Sequence, residues 1–275
     1  MACMDYSVLM SVYHKERPEF LRQAMESIAK QTVPTNDFVL VCDGPLNEQL
    51  DEVIVQMQNV FGQLLHVVRL EKNMGLGNAL NIGIQHCKND LVARMDSDDI
   101  SRPDRCERQL KIFEKRPELD ICSGTVEEFS TQPQNVENRR IVPQTHEEIL
   151  KFAKKRNPFN HPCVMYRKSA VLAAGSYQDF YLLEDYYLWI RMLLNGSLGY
   201  NIQEPLLWMR AGSDMYKRRS GWKYAKSQVR LLKLVKKYGM INAEQYICFV
   251  MVRTVMAMCP NSFRKWLFGM TLRKK

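Results

Sequence analysis

Four short apolar runs, separated by stretches of helical periodicity, constrain the first hundred residues more than any other feature. The runs are SVLMSV (7–12), FVLVC (38–42), HVVRL (66–70) and LVARM (91–95). Between the first two, Leu21, Ala24, Met25 and Ile28 share one helical face behind Pro18, a residue suited to a first turn. Between the last two, Leu76, Ala79, Leu80 and Gly83 share another. A strand covered on both faces reads as a continuous apolar run, whereas a half-solvated one alternates. The pattern therefore predicts an α/β fold, a mostly parallel sheet flanked by helices. Such sheets gather ligands at the carboxyl ends of their strands. Here those ends carry Tyr13, Asp43, Asn73 and Asp96.

Beyond the last run, Ser101-Arg102-Pro103 predicts the cap and first turn of a helix that reaches about Arg116 before Pro117 stops it. Residues 130–145 are polar and proline-punctuated and read as a loop. Further helices are expected over roughly 184–195, 220–238 and 243–258. Hydrophobic residues at 46% and charged residues at 25% exclude a disordered chain. The eight cysteines form no Cys-x-x-Cys pair, and several, such as Cys42 and Cys248, lie in apolar runs. They read as reduced core thiols of a cytoplasmic protein rather than a disulfide framework or a zinc site. The start, MACMDYSVLM, lacks the pattern of a signal peptide.

Net charge is +9, but it is unevenly spread. From Tyr216 onward fifteen Lys and Arg stand against a single acidic residue, Glu244; the remainder carries 24 basic and 29 acidic residues. A basic extension on a nearly neutral body implies an anionic partner, nucleic acid or a membrane surface. No recognition module accompanies the charge, which disfavours nucleic acid. YICFVMVRTVMAMC is 14 residues long and contains Arg253, too short for a bilayer that needs about 20. Basic residues beside Trp222, Phe263, Trp266 and Phe268 suit an interfacial helix, so an anionic membrane surface is the expected partner. The bland alternative is helices that pack on the domain with their lysines in solvent.

Asp96-Ser97-Asp98-Asp99 is the strongest local signal, because it directly follows an apolar strand. Three carboxylates this close repel one another unless a cation or several donors compensate, and hard divalent cations take carboxylate oxygens. An acidic turn capping the next helix is the competing reading. Asp43 is either a nucleotide contact or a turn aspartate before Gly44-Pro45. Gly75-Leu76-Gly77 fails the dinucleotide fingerprint, since Leu80 stands where its third glycine belongs; these glycines suit a close approach of a helix start to a strand or a phosphate. Glu184-Asp185, among large apolar residues, is either a cleft pair with one raised pKa, as a general base requires, or a helix-start pair favoured by the macrodipole. His161 in NPFNHPC is a metal ligand or a hydrogen-bonded loop histidine.

Taken in order, SVYHKERPEFLRQAMESIAKQT, FVLVCDG, NMGLGNALNIGI, ARMDSDDISRPDRCERQ, NPFNHPCVMYRKSA and EDYYLWIRML resemble family 2 glycosyltransferases, inverting enzymes with a GT-A fold common in bacterial polysaccharide assembly. The resemblance covers roughly residues 5–215. It implies a GT-A catalytic domain over 1–215, with a nucleotide-sugar half to about 100 and an acceptor half from 101, then a basic helical extension over 216–275. It implies Tyr13, Glu16, Asp43, Asn73 and Asp96 at the nucleotide sugar, and Asp98 with Asp96 at Mn²⁺ or Mg²⁺. Asp185, next to Glu184, would be the base. His14-Lys15 departs from the Asn and small residue that relatives often carry. The implied reaction moves a hexose or N-acetylhexosamine from a UDP-sugar to an acceptor hydroxyl on a lipid-linked or other glycan, at the inner face of the cell membrane. A nucleotidyltransferase is the alternative enzyme, disfavoured because SVYHKERP lacks the glycines of a phosphate loop.

Overall fold

In the computed structural model, which describes residues 4–211 and 220–259, the four apolar runs become β1 (Tyr6–Val12), β2 (Asp37–Cys42), β3 (Leu65–Arg69) and β4 (Leu91–Asp96). They lie parallel in the order β3-β2-β1-β4. Successive side chains of a strand point to opposite faces, and here each face feeds its own core. Val8, Met10, Phe38 and Leu40 pack with α1 (Pro18–Ala29), whereas Leu9, Val39 and Val41 pack with α3 (Leu76–His86). The helical faces read from the sequence are the buried ones: Leu21, Ala24, Met25 and Ile28 on α1, Ala79, Leu80 and Gly83 on α3. Leu76 is only half-buried.

Residues Glu48–Phe61 form a further helix, α2, beyond those expected. Its buried Leu50, Val53, Ile54 and Met57 have the i, i+3, i+4, i+7 spacing of an amphipathic helix, and Asn47 caps it through a bond from the Leu50 amide.

Past β4 the sheet continues with strands that sequence periodicity did not reveal, in the order β4-β8-β6-β9-β5. These are β5 (Ile100–Ser101), β6 (Ile121–Phe129), β8 (Met165–Arg167) and β9 (Gly199–Arg210). β8 runs antiparallel to both β4 and β6, while β6 and β9 are parallel. Pro205 sits where the β6–β9 register shifts, at a site that tolerates a missing N–H.

Two expectations need correction. Ser101 does not cap a helix: it pairs with Leu207 in β5, and its hydroxyl accepts a bond from the Gln31 amide at 3.2 Å. Helix α4 (Arg105–Lys115) starts after Asp104 instead, and ends before Pro117 as expected. The 130–145 segment is not wholly a loop, because β7 (Asn138–Arg140) pairs with β6 and sets Arg139 and Arg140 against Glu127 and Glu128.

Helices α5 (His146–Ala153), α6 (Lys168–Ala173) and α7 (Glu184–Leu194) complete the second half. The basic stretches form α8 (Gly221–Lys237) and α9 (Ala243–Met258). Leu231, Leu232 and Val235 of α8 join the same apolar cluster as Trp189 of α7. Five cysteines are buried thiols, as expected, but Cys248 is exposed on α9, a third correction, since its neighbours in the sequence are apolar but its side of the helix is not enclosed. Cys3 lies outside the described residues.

Candidate active site

Because β1, β2 and β4 are parallel, their carboxyl ends share one edge of the sheet. The chain steps outward from β1 to β2 to β3, then crosses to the other side of β1 for β4. That reversal opens a crevice between the segments following β1 and β4.

Asp43, 4% exposed, follows β2. Its carboxylate accepts the Met74 amide at 2.6 Å and the Gly75 amide at 3.0 Å, and its carbonyl accepts Asn73 Nδ2 at 3.1 Å. Asp43 thus clamps the loop between β3 and α3, and Asn73 serves the same clamp. Gly44 is required beside it: its φ is +86°, and a Cβ there would stand 2.6 Å from the Asn73 nitrogen.

Glu16 ties the loop after β1 to the acidic turn after β4. It accepts the Ser97 hydroxyl at 2.9 Å, while its own amide bonds the Tyr13 carbonyl at 3.0 Å. Within the turn, Asp96 pairs with Arg94, whose side chain is 1% exposed. Burial opposes the Arg94 charge, but Asp96 more than offsets that and holds the guanidinium ionised. Asp98 is half-buried, and its carbonyl accepts Arg210 Nε of β9 at 3.0 Å.

Asp99 is buried. One carboxylate oxygen accepts the Arg210 amide at 2.7 Å, and the other has no hydrogen-bond partner among the described residues. Burial, with the Asp98 and Asp96 charges adding to it, pushes its carboxyl well above the usual range. Ligand oxygens of Asp96, Asp98 and Asp99 lie within 4.8 Å of one another. Three oxygens so placed, one lacking a donor, fit a hard divalent cation. The expected pair thereby gains a third member, Asp99.

A second pair of carboxylates opens α7. Burial, then the Asp185 charge, raises the Glu184 carboxyl to about 7; Arg94 lowers it and Asp96 raises it, so the two acidic groups share one electrostatic field. Both carboxylates stand in the first turn of α7, as the helix-start reading has it, and one of them is raised, as the cleft reading has it. Gly77 makes the closeness possible, since a Cβ there would stand 2.9 Å from the Gln178 carbonyl oxygen and 3.2 Å from Glu184 Cβ. Asp185 accepts Asn157 Nδ2 at 2.6 Å on one oxygen and the Tyr186 amide at 2.6 Å on the other. Asn157 was not among the expected site residues; an Asn before a proline reads as a turn, and only the fold brings it to Asp185. Two residues before Glu184, Leu182 adopts φ +59°, a strained conformation for a leucine.

His161 is the satisfied loop histidine. Its Nε2 bonds the Tyr177 hydroxyl at 3.0 Å, its ring lies 5.9 Å from that of Trp189, and burial holds its pKa well below the ordinary value. It takes no part in the acidic cluster.

The family model for glycosyl transferase family 2 matches residues 7–174. The amylovoran biosynthesis glycosyltransferase AmsE of Erwinia amylovora is 41% identical, over 96% of this chain and 97% of that one. An Escherichia coli protein named UDP-Gal:alpha-D-GlcNAc-diphosphoundecaprenol beta-1,3-galactosyltransferase is 38% identical, over 98% of this chain and 97% of its own. Among solved structures, Staphylococcus aureus TarS (residues 1–349) in complex with UDP-GlcNAc superposes with a TM-score of 0.68 at 16% identity, covering 98% of this chain and 76% of that one. A Pyrobaculum calidifontis mannosyltransferase holding GDP-Man and Mn²⁺ superposes with a TM-score of 0.66 at 12% identity, covering 97% and 75%.

Proposed function

The chain belongs to glycosyl transferase family 2 and is a glycosyltransferase of the GT-A type; from that premise we propose that it carries a hexose or N-acetylhexosamine from a UDP-sugar to an acceptor hydroxyl on a lipid-linked glycan, with inversion. The observation that carries this reading is the electrostatic coupling of two carboxylate groups, Asp96-Asp98-Asp99 after β4 and Glu184-Asp185 at the start of α7, with Asp96 raising the Glu184 carboxyl. The relative named for UDP-Gal and a diphosphoundecaprenol acceptor supports the donor and acceptor classes. Family membership sets aside the nucleotidyltransferase alternative.

In this reading residues 1 to about 100 hold the nucleotide sugar, 101–215 meet the acceptor, and 216–275 form a basic extension. Asp43 and Asn73 fix the loop against which the nucleotide rests, and Tyr13 and Glu16 border it from β1. Asp98 and Asp96, with Asp99 behind them, would hold Mn²⁺ or Mg²⁺, and such an ion neutralises charge on a departing diphosphate. Asp185, oriented by Asn157, takes the acceptor hydroxyl proton. The acceptor oxygen bonds to the anomeric carbon as the bond from that carbon to the diphosphate oxygen breaks. One displacement with no covalent intermediate inverts the anomeric centre.

A donor screen tests this: nucleotide release is measured with Mn²⁺ or Mg²⁺ over a panel of UDP- and GDP-sugars, with and without lipid-diphosphate sugars as acceptors. Acceptor-dependent UDP release is expected. Release of GDP alone would overturn the donor class, and release indifferent to acceptor would overturn the transfer assignment.

A further inference from the structure

Helix α9 is apolar on nearly every side, and helices of that kind are ordinarily enclosed. Its inner face is. Tyr246, Phe249 and Val250 pack against the core cluster, Ala257 is buried, and Arg253 turns inward to donate to Gln228 Oε1 and the Lys155 carbonyl. The outer face is not. Ile247, Met251, Val252, Val255 and Met258 are each 56–60% exposed, and at about 100° per residue they fall on one side of the helix. No charged side chain stands on that side between Ile247 and Met258.

The neighbouring surface is cationic. Lys223, Lys226, Arg230, Lys233, Lys236 and Lys237 of α8 are all exposed, and among the described residues none forms an ion pair. Lys236 Nζ lies 5.1 Å from the Tyr246 ring, which brings this charge to the first turns of α9. The sequence after Cys259, outside the described residues, adds five more basic side chains and no acidic one.

An occupant must cover an apolar stripe and answer a cationic rim at once. A second copy would bring like charge against like charge. Nucleic acid offers phosphates but nothing to cover the stripe. An anionic lipid surface offers both, acyl chains for the stripe and headgroups for the lysines. The element lies on the membrane rather than across it, because no helix among the described residues is long and apolar enough to span one.

We propose that the α8–α9 hairpin docks the protein on an anionic bilayer, with Ile247, Met251, Val255 and Met258 entering the interface and the α8 lysines at the headgroups. Phe263, Trp266 and Phe268, which the sequence sets among basic residues, lie outside the described residues; the exposed stripe adds an apolar face on α9. The proposal does not depend on the transfer chemistry.

The test is flotation of the full-length protein with phosphatidylcholine vesicles, with and without roughly one-third phosphatidylglycerol, at two salt concentrations. Wild type is expected to float with the anionic vesicles only, and less so at high salt. The double variant Met251→Gln/Val255→Gln should lose about tenfold or more in partitioning, while its unfolding temperature and its transfer to a soluble acceptor analogue stay unchanged. Lys226→Gln/Lys233→Gln/Lys237→Gln should flatten the salt dependence. Wild type that never floats, or a double variant that floats like wild type, overturns the proposal. So does a dimer, seen by light scattering, that the double variant dissolves, since a second copy would then cover α9. Failure of soluble transfer in wild type would instead count against the proposed reaction and leave the vesicle result intact.

Discussion

At the ends of β1, β2 and β4 the charges are held by their neighbours: Asp43 takes two loop amides, Glu16 takes Ser97, and Asp96 takes the buried Arg94. On α8 the cations stand in solvent, and beside them the outer face of α9 leaves five large apolar side chains uncovered. The first region spends stability to keep like charges close, as at Asp99 and Glu184, which is the usual mark of a preorganised chemical site. The second is well packed within and unfinished without. One surface holds its charges with partners of its own, and the other has an apolar face with no cover among the described residues.

The largest effect should come from the acidic turn. Asp98→Ala is expected to lose nearly all transfer, and chelation should mimic it; full activity in excess EDTA would remove the cation from the account. Asp185→Asn should follow, folding normally and binding the UDP-sugar while turnover drops by about 10²–10⁴-fold. Wild-type turnover in that variant would shift the base to Glu184, and NMR showing a retained anomeric configuration would end the single-displacement mechanism.

The hairpin's inner face gives the next test. Leu231 is fully buried in the cluster that contains Trp189. Leu231→Ala should therefore lower the stability of the whole chain by about 2–4 kcal/mol in one cooperative unfolding transition. A separate transition for the hairpin, with the rest unchanged, would make it an appendage and break the comparison.

The smallest effect should be at Glu184. Its carboxyl titrates near 7 when folded and near 4.5 when unfolded, so folding takes up a proton between those values. Stability is fullest below about 4.5 and falls as pH rises through about 7. Glu184→Gln should remove that decline and gain on the order of 1–3 kcal/mol at pH 8, discounted for partial solvent screening. Parallel pH profiles of unfolding for wild type and variant would refute the assignment.

Much of the first half was legible because its signals are local. A continuous apolar run needs no partner to be read as a buried strand, and α1 and α3 announce their buried faces by spacing. Asp96 and Asp98 were legible because position after a strand carries the inference. Asn157 was not, because it matters through a long-range contact with Asp185. Arg94, only two residues from Asp96, was missed because the fold alone shows its side chain buried, and Asp99, part of the acidic run, meets Arg210 on β9 only in the fold. Strands β6, β8 and β9 stayed hidden for a related reason. Their pairing spans the whole second half of the chain, and β6 is buried at all nine positions, so no alternation marks it.

Periodicity and composition, then, determined the parallel strands, the helices between them and the concentration of positive charge after residue 216, since these depend on near neighbours along the chain. Tertiary structure alone decided which carboxylates share a field, which histidine is spent on a tyrosine hydroxyl, and which side of α9 has no cover among the described residues. Burial, electrostatic coupling and exposure are properties of distances in space, and residues 96 and 184 come within reach of one another only when β4 and α7 fold onto the same edge of the sheet.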